Sequence, residues 1–449
     1  MKVSIIGGAG YVGLITGLGV STMGHQVTAT DIDKDKIDHL KNGHPPIFEE
    51  GLKSLLDYCN NNKLIEFSTD TSLAIKDSDL IIISVGTPID INGNIDLSQV
   101  KDVLNDLINN MSPFTLIVIK STLPITAVNM LKEELGKVFK EGIDFEIASN
   151  PEFLREGRAV YDFFNPDRIV LGGTVKSWDS LANFYSPLIE RNLSVPEDIL
   201  IEKKVIDFVF TNLPSAQMIK YGSNAFLANK VSFVNEIAQI CESVEADVRD
   251  VITGMGLDPR IGNNYMQPGP GFGGPCLEKD LEALIELGNF FDLESTFMKA
   301  ILERNERQIN LIRDKVVKEL DSTNLTIAVL GLAFKAGTDD IRNSASIKLI
   351  NMLLQDGYSI KSYDPVAKFK SENDKYSQLS DMYLALESVD SLIIMTEWEE
   401  FKSIDWQRVK DLIKSNTIFD MRNIINRHEV EVTGLNYICL GSKGILSGF

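Results

Sequence analysis

The run Gly8-Ala9-Gly10-Tyr11-Val12-Gly13 limits what this chain can fold into more than any other feature. It follows a short apolar, β-branched stretch at residues 2–6 and opens a helical pattern over 11–24 that Gly24 closes. Glycines also punctuate ordinary turns, so the setting decides its meaning. Val27-Thr28-Ala29-Thr30 reads as a second strand and ends at Asp31. In such a strand–turn–helix unit Gly8 permits the tight turn, Gly10 admits a pyrophosphate to the backbone, and Gly13 lets helix and strand pack closely. The helix start at Tyr11 and Val12 supplies amides and a dipole that favour an anion. Asp31 can accept a hydrogen bond from a ribose 2′-hydroxyl and would repel a 2′-phosphate. That favours NAD over NADP, with Lys36 nearby weighing the other way.

Further strands are expected at Leu80 to Val85, Leu116 to Lys120 and Phe145 to Ala148, with helical stretches between. Such alternation predicts a parallel sheet with helices on both faces. From Pro214 to residue 243 apolar residues recur at helical spacing, predicting one long helix with Pro214 in its first turn. More helix is expected to about residue 320. Thr326 to Leu330 then starts a second β/α series, continued at Ser359 to Tyr363, Ser391 to Met395 and Thr417 to Phe419. The expected fold is therefore α/β: two Rossmann-like doubly wound parallel-sheet domains joined by a central helical domain with one long helix. The boundaries expected are 1–200, 201–315 and 316–449, with the charged stretch 189–204 as a linker. Such a layout predicts a ligand cleft at the carboxyl ends of the strands.

The 449 residues carry a net charge of −20, which argues against nucleic acid or an anionic membrane surface as the main partner. Any phosphate site must then be a local exception. The apolar runs are far too short to span a bilayer. Residues 1–8 lack the length and cleavage pattern of a signal peptide. The four cysteines form no CxxC pair, which suits a reduced, cytoplasmic setting, and no metal is expected.

Residues 268–276 read Pro-Gly-Pro-Gly-Phe-Gly-Gly-Pro-Cys, a loop able to pass close to a ligand. Helical periodicity resumes at Leu277, so Cys276 is expected at a helix N-terminus, where a thiolate is stabilised. Asp280 follows one turn on, on the same face, and Lys279 lies within that turn. A thiol so placed can form and resolve covalent adducts; Cys59, Cys241 and Cys439 read as packing. Lys220 and Asn224 share a face of the long helix and can donate to one oxyanion, although a solvated helix face has the same pattern. The segment Asn150 to Gly157 is expected on the sheet's binding edge, with Glu156 as an acid/base or a water holder, or as part of a capped helix start. Thr87 and Thr122 follow strands and can bond cofactor or water, or simply begin loops. Gly331 to Lys335, with Arg342 beyond, offers amides and cations to a second nucleotide-like ligand; a turn with a surface lysine has the same composition.

Taken together these segments resemble the UDP-glucose/GDP-mannose dehydrogenase family nearly end to end. The resemblance rests on Gly8 to Gly13, Lys120-Ser121-Thr122, Pro151 to Glu156, Lys220 to Phe226, Asp258 to Gly262, Gly271 to Asp280 and Ala333 to Lys335. It implies NAD-dependent four-electron oxidation of a nucleotide-sugar C6 alcohol to the carboxylate. UDP-glucose leads as substrate, with UDP-N-acetylhexosamines or GDP-mannose as alternatives. The resemblance makes Cys276 the nucleophile and Asp280 the proton-transfer group. Thr122 and Glu156 position water, and Lys220 and Asn224 stabilise the oxyanion. Glu152, Phe153, Leu154, Arg155, Glu156, Tyr265, Met266, Gln267, Pro268, Gly269, Gly273 and Lys335 are implied to contact the nucleotide-sugar. Lys279 and Arg342 are implied to contact the cofactor. Arg260 would reach substrate from a partner subunit, since the family pairs through its long helix as a homodimer. Pro275 and Glu278 depart from the Ser and Pro common there, and the stretch 189–204 is longer than usual. A two-electron hydroxyacid dehydrogenase would leave Cys276 and the second β/α series unexplained. A non-catalytic NAD-binding protein would leave the activity-type residues unexplained.

Overall fold

Alternate residues of the central strands enter two different cores. Val3, Ile5, Leu80, Ile82, Leu116 and Val118 pack on one side, and Ile6, Ile81, Ile83, Ile117 and Ile119 on the other. A strand buried on both faces has no regular polar phase, so these segments read as largely apolar runs. The computed structural model describes residues 1–88, 96–112, 114–320 and 322–442. It divides into two compact units, Met1–Gly222 and Ser223–Phe449.

The first unit holds eight strands: β1 (Lys2–Ile6), β2 (Gln26–Thr30), β3 (Ile65–Ser68), β4 (Leu80–Ile83), β5 (Thr115–Ile119), β6 (Phe145–Ser149), β7 (Arg168–Gly172) and β8 (Asp207–Thr211). Their order is β3-β2-β1-β4-β5-β6-β7-β8, parallel except where β6 meets β7. The order reverses between β1 and β4, and that crevice is where an open α/β sheet takes its ligand. β3, β7 and β8 lie outside the expected strands. β3 is four residues long with Glu66 exposed, and β8 is an edge strand with little burial. β3 alternates, but over four residues only, and β8 does not alternate. The expected domain edge at residue 200 falls before β8, which closes this sheet.

The stretch 189–204 is docked rather than free. Arg191 donates to the Phe164 carbonyl at 2.7 Å and the Glu202 amide to Asn165 Oδ1 at 2.7 Å, while Ile199 is buried in the first core. The first helix spans Tyr11–Ser21, ending before Gly24, whose φ of +84° turns the chain into β2. It packs on the helix Ala159–Phe164, where a Cβ at Gly19 would stand 2.0 Å from the Phe163 ring.

The long helix runs Leu213–Val244, so the division between the units falls within it. The second unit continues with helices Val248–Gly256, Leu277–Phe290 and Thr296–Leu320. Six parallel strands follow: β9 (Thr326–Leu330), β10 (Ser359–Tyr363), β11 (Tyr376–Gln378), β12 (Ser391–Ile394), β13 (Thr417–Asp420) and β14 (Asn436–Cys439). Their order is β11-β10-β9-β12-β13-β14, with the same reversal beside the first strand. Ile327 and Val329 enter one core and Ala328 and Leu330 the other. Both sheets are thus doubly wound, as expected. Among the described residues no helix is long and apolar enough to cross a membrane.

The Gly19 contact gives a direct test. Gly19→Ala drives a methyl into Phe163 and should cost about 1–3 kcal/mol, read as a lower denaturant midpoint. Phe163→Leu in the same chain should recover part of the loss.

Candidate active site

The glycine turn lies at the reversal point of the first sheet. Gly7, not Gly8, adopts the left-handed conformation, with φ +81°. A Cβ there would also stand 2.8 Å from the Ser84 carbonyl oxygen beyond β4. Gly8 is required for another reason: its Cβ would sit 2.7 Å from the Ala29 methyl. At Gly13 a Cβ would lie 2.1 Å from the Gly7 carbonyl oxygen, which brings helix and turn together as expected. Gly10 is the N-cap of the helix that Tyr11 and Val12 begin, and no side chain caps it. This open, uncapped cradle fits a diphosphate. Asp31 stands at the end of β2, where its Oδ2 accepts the Ala9 amide at 3.2 Å and its Oδ1 the Asp33 amide at 3.1 Å. It orders the turn. Lys36 pairs with Asp33 at 3.4 Å.

Loops after β4 and β5 meet at the same edge. Thr87 Oγ1 donates to the Thr122 carbonyl at 3.3 Å, and Ser121 Oγ to the Val85 carbonyl at 2.7 Å. After β6 the chain runs through Asn150 to Glu156. Lys220 Nζ is 2.7 Å from Glu152 Oε1, and both side chains are buried. Burial opposes the Glu152 charge, but Lys220 and then Lys120 hold its pKa below the usual carboxylate range. Lys120 is buried too, with Nζ 3.0 Å from Asn150 Oδ1, and burial pushes its pKa down to about 8. Tyr185 donates to the same Asn150 oxygen at 2.6 Å. Phe153 carries Arg168 over its ring at 3.8 Å. The Leu154 amide donates to Glu152 at 2.6 Å, and Arg155 is held by Asp162. Lys120, Asn150 and Glu152 to Arg155 line one cleft. Glu156 lies near enough to Tyr11 to help raise the pKa of its hydroxyl, though burial and Glu49 contribute more.

In the second unit Cys276 is the exposed N-cap of helix Leu277–Phe290. One turn on, Asp280 is 1% exposed. Asn224 Nδ2 donates to its Oδ2 at 2.6 Å, and Lys279 Nζ stands 3.1 Å from its Oδ1. Lys220 and Asn224 therefore each engage a different acid.

The glycines before Cys276 correct an expectation. A Cβ at Gly273 would lie 2.5 Å from the Asn343 carbonyl, at Gly274 2.9 Å from the Phe334 ring, and at Gly271 2.6 Å from Asn305 Oδ1. Protein packing, not ligand approach alone, demands them. Asn305 clasps the loop at both the amide and the carbonyl of Phe272, at 2.8 and 3.0 Å. Gly269 is held by Asn235 and Gln308 at 2.8 and 2.7 Å. Met266 is buried in a small core with Val234 and Ala238, and Pro268 is buried as well. Tyr265 and Gln267 are exposed, Tyr265 at a φ of +62°. Arg260 is exposed and forks onto Asp258.

The turn after β9 resembles the first one but is closed by its own acid. Asp364, at the end of β10, accepts the amides of Leu332 and Ala333 at 2.7 and 3.2 Å and is 1% exposed. Lys335 stands 5.5 Å from the Phe334 ring centroid, and Arg342 forks onto Asp340. Arg422, which no motif marked, reaches this turn: it donates to the Phe334 and Met395 carbonyls at 3.0 and 2.9 Å. Glu49, Gly7 and Arg422 were not singled out from sequence, and Asn150 only as the start of its segment. Each acts through contacts distant along the chain, and only Gly7, adjoining the motif, carried a local signal.

Three comparisons bear on this geometry. Residues 1–189 match the NAD binding domain of the UDP-glucose/GDP-mannose dehydrogenase family, 214–307 its central domain and 328–427 its UDP binding domain. The chain is 38% identical over 450 residues to UDP-glucose 6-dehydrogenase of Rickettsia bellii, covering 99% of this chain and 100% of that one. It is 37% identical to UDP-glucose 6-dehydrogenase TuaD of Bacillus subtilis, covering 99% and 94%. A UDP-glucose dehydrogenase structure from Pyrobaculum islandicum superposes with a TM-score of 0.83 at 31% identity, covering 96% of this chain and 95% of that one. A buried acid behind an exposed thiol, an NAD-type glycine turn and three family domains in order lead to one assignment: the chain belongs to the UDP-glucose/GDP-mannose dehydrogenase family.

Proposed function

We propose that this protein oxidises the C6 alcohol of UDP-glucose to the carboxylate, consuming two NAD+ and one water and forming UDP-glucuronate and two NADH. The observation that carries the reading is Cys276, exposed at a helix N-terminus with Asp280 fixed one turn behind it by Asn224 and Lys279. The relatives named UDP-glucose 6-dehydrogenase support the choice of sugar. Segment 1–200 holds NAD through Gly8, Gly10, Tyr11, Val12, Gly13 and Asp31, with Lys36, Thr87, Lys279 and Arg342 as further contacts. Segment 201–315 is the helical dimerisation domain. Segment 316–449 holds the nucleotide with Lys335. The bound cofactor supplies the hydride acceptor for both oxidations.

The residues then divide the work. In the first oxidation the C6 hydroxyl loses its proton to a Thr122- and Glu156-positioned water, and Lys220 and Asn224 stabilise the oxygen as its charge develops. The Cys276 thiolate adds to the aldehyde carbon, giving a thiohemiacetal, and the adduct oxygen takes up a proton. Removal of that carbon's hydride and the oxygen's proton leaves a thioester. Water attacks its carbonyl, the carbon–sulfur bond breaks, and the acid leaves as Cys276 regains its thiolate. Asp280, held ready by Asn224, carries protons at the thiol. Glu152 to Arg155, Tyr265 to Gly269 and Gly273 seat the sugar-nucleotide.

The protein acts as a cytoplasmic homodimer. Phe226, Phe233 and Ile240 recur every seven residues on the long helix and are 63%, 44% and 51% exposed, with Val244 at 66%. A helix seam of that period suits a second copy. Arg260, 88% exposed, is placed to serve the partner's substrate.

Two measurements test this. NADH formation across a nucleotide-sugar panel should peak with UDP-glucose at two NADH per sugar. Cys276→Ser should slow acid release by about a hundredfold or more. One NADH per sugar with free aldehyde as the end product would overturn the thioester route. Separately, Phe233→Arg should shift sedimentation from dimer toward monomer; an unchanged dimer would place the interface elsewhere.

A further inference from the structure

Glu49 is a carboxylate only 6% exposed, in the turn before the helix Leu52–Asn61, and no motif drew attention to it. Three donors converge on it. The Tyr11 hydroxyl and the Gly157 amide both donate to Oε1, and the Ala159 amide donates to Oε2 at 3.0 Å. Tyr11 is the first residue of the helix that begins at the glycine turn. Gly157 and Ala159 end the acid-bearing loop that starts at Asn150. Gly157 has a φ of +79°, a left-handed conformation that favours glycine.

One buried carboxylate thus joins the start of the cofactor helix to the end of the Glu152–Glu156 loop. A second, purely apolar link runs parallel to it. Gly19 of the same helix abuts Phe163 of the helix Ala159–Phe164, which the Ala159 amide begins. The two links clamp the loop's far end to both ends of the cofactor helix. A contiguous path of packed atoms and hydrogen bonds therefore joins the two. The Tyr11 hydroxyl is a donor throughout the working pH range, because burial and the Glu49 charge push its pKa well up.

We infer that Glu49 is a positioning residue that couples occupancy of the dinucleotide turn to the placement of the Glu152–Glu156 loop. The inference rests on the functional reading above for the identity of the two ligands. Ordering the turn around a diphosphate fixes Tyr11, Tyr11 fixes Glu49, and Glu49 fixes the two amides that close the loop. By linkage, filling the loop side must tighten the turn by the same factor.

The test is calorimetric titration of NAD+ in the absence and presence of saturating UDP-glucuronate, a pair that cannot react. In the unaltered protein each ligand should raise affinity for the other by about fivefold or more. Tyr11→Phe removes one hydroxyl and leaves the backbone, and it should reduce that factor at least threefold. Glu49→Gln, whose amide must turn a donor toward a donor, should reduce it further and speed hydrogen exchange at Gly157 and Ala159. A merely structural role would lower the melting temperature and leave the factor where it was. A factor within about twofold of the unaltered protein in Tyr11→Phe, or no coupling in the unaltered protein, overturns the inference. Failure of the functional reading looks different: no nucleotide-sugar would then yield NADH at all.

Discussion

Helix Tyr11–Ser21 can start where it does only because position 13 has no side chain. The missing Cβ would fall 2.1 Å from the Gly7 carbonyl oxygen, a distance no backbone adjustment of a few tenths of an ångström relieves. That contact sets the helix against the carboxyl end of β1, and the Gly8–Ala29 contact sets the same turn against β2. Amides and helix dipole then converge at the point where strand order reverses. The edge loops after β4, β5 and β6 are arranged around this turn, and the Glu49 clasp is anchored on its first helical residue.

The second sheet repeats the topology and reverses the use of one residue. Asp31 and Asp364 both end the second strand of their sheets and both accept amides from the turn after the first. Asp31 is partly exposed and accepts one amide on each oxygen, those of Ala9 and Asp33, keeping acceptor capacity toward solvent. Asp364 is 1% exposed and accepts four amides, those of Leu332, Ala333, Val366 and Ala367. An acid so engaged cannot greet a ribose. The same fold plan therefore yields a dinucleotide cradle in one place and a self-closed turn in the other, with Arg422 and Lys335 as the cations beside it.

Much of this was legible in the chain itself. The alternating cores come from strands that are apolar along most of their length, and the long helix from periodicity with only Gly222 inside it. The Cys276–Asp280 turn follows from helical spacing. The roles of the glycines were less legible, because a glycine needed for φ, one needed for a ligand and one needed for a neighbouring carbonyl are the same letter. Gly7 and Gly273 show the difference: one turns left-handed, while the other leaves room for the Asn343 oxygen. Glu49, and the bonding partners of Asn150, were invisible for a related reason. Their donors come from segments far along the chain, at Gly157, Tyr185 and Lys120, and no spacing rule connects them.

The charge balance carries the last step. A chain of net charge −20 needs a local exception wherever an oxyanion must form. In the cleft after β6, Lys220 is balanced by Glu152 at 2.7 Å in a buried pair. Lys120 changes the sum. It is a second buried amine in the same cleft, bonded to neutral Asn150 rather than to an acid, and its charge interacts with both members of the pair. Two ammonium groups against one carboxylate leave the cluster net positive while Lys120 keeps its proton, below about pH 8. Burial away from water makes that single charge count for more than the surface excess of the opposite sign. An acidic chain and one locally cationic cluster are compatible because low dielectric and short distance, not totals, decide the charge felt inside a buried cleft.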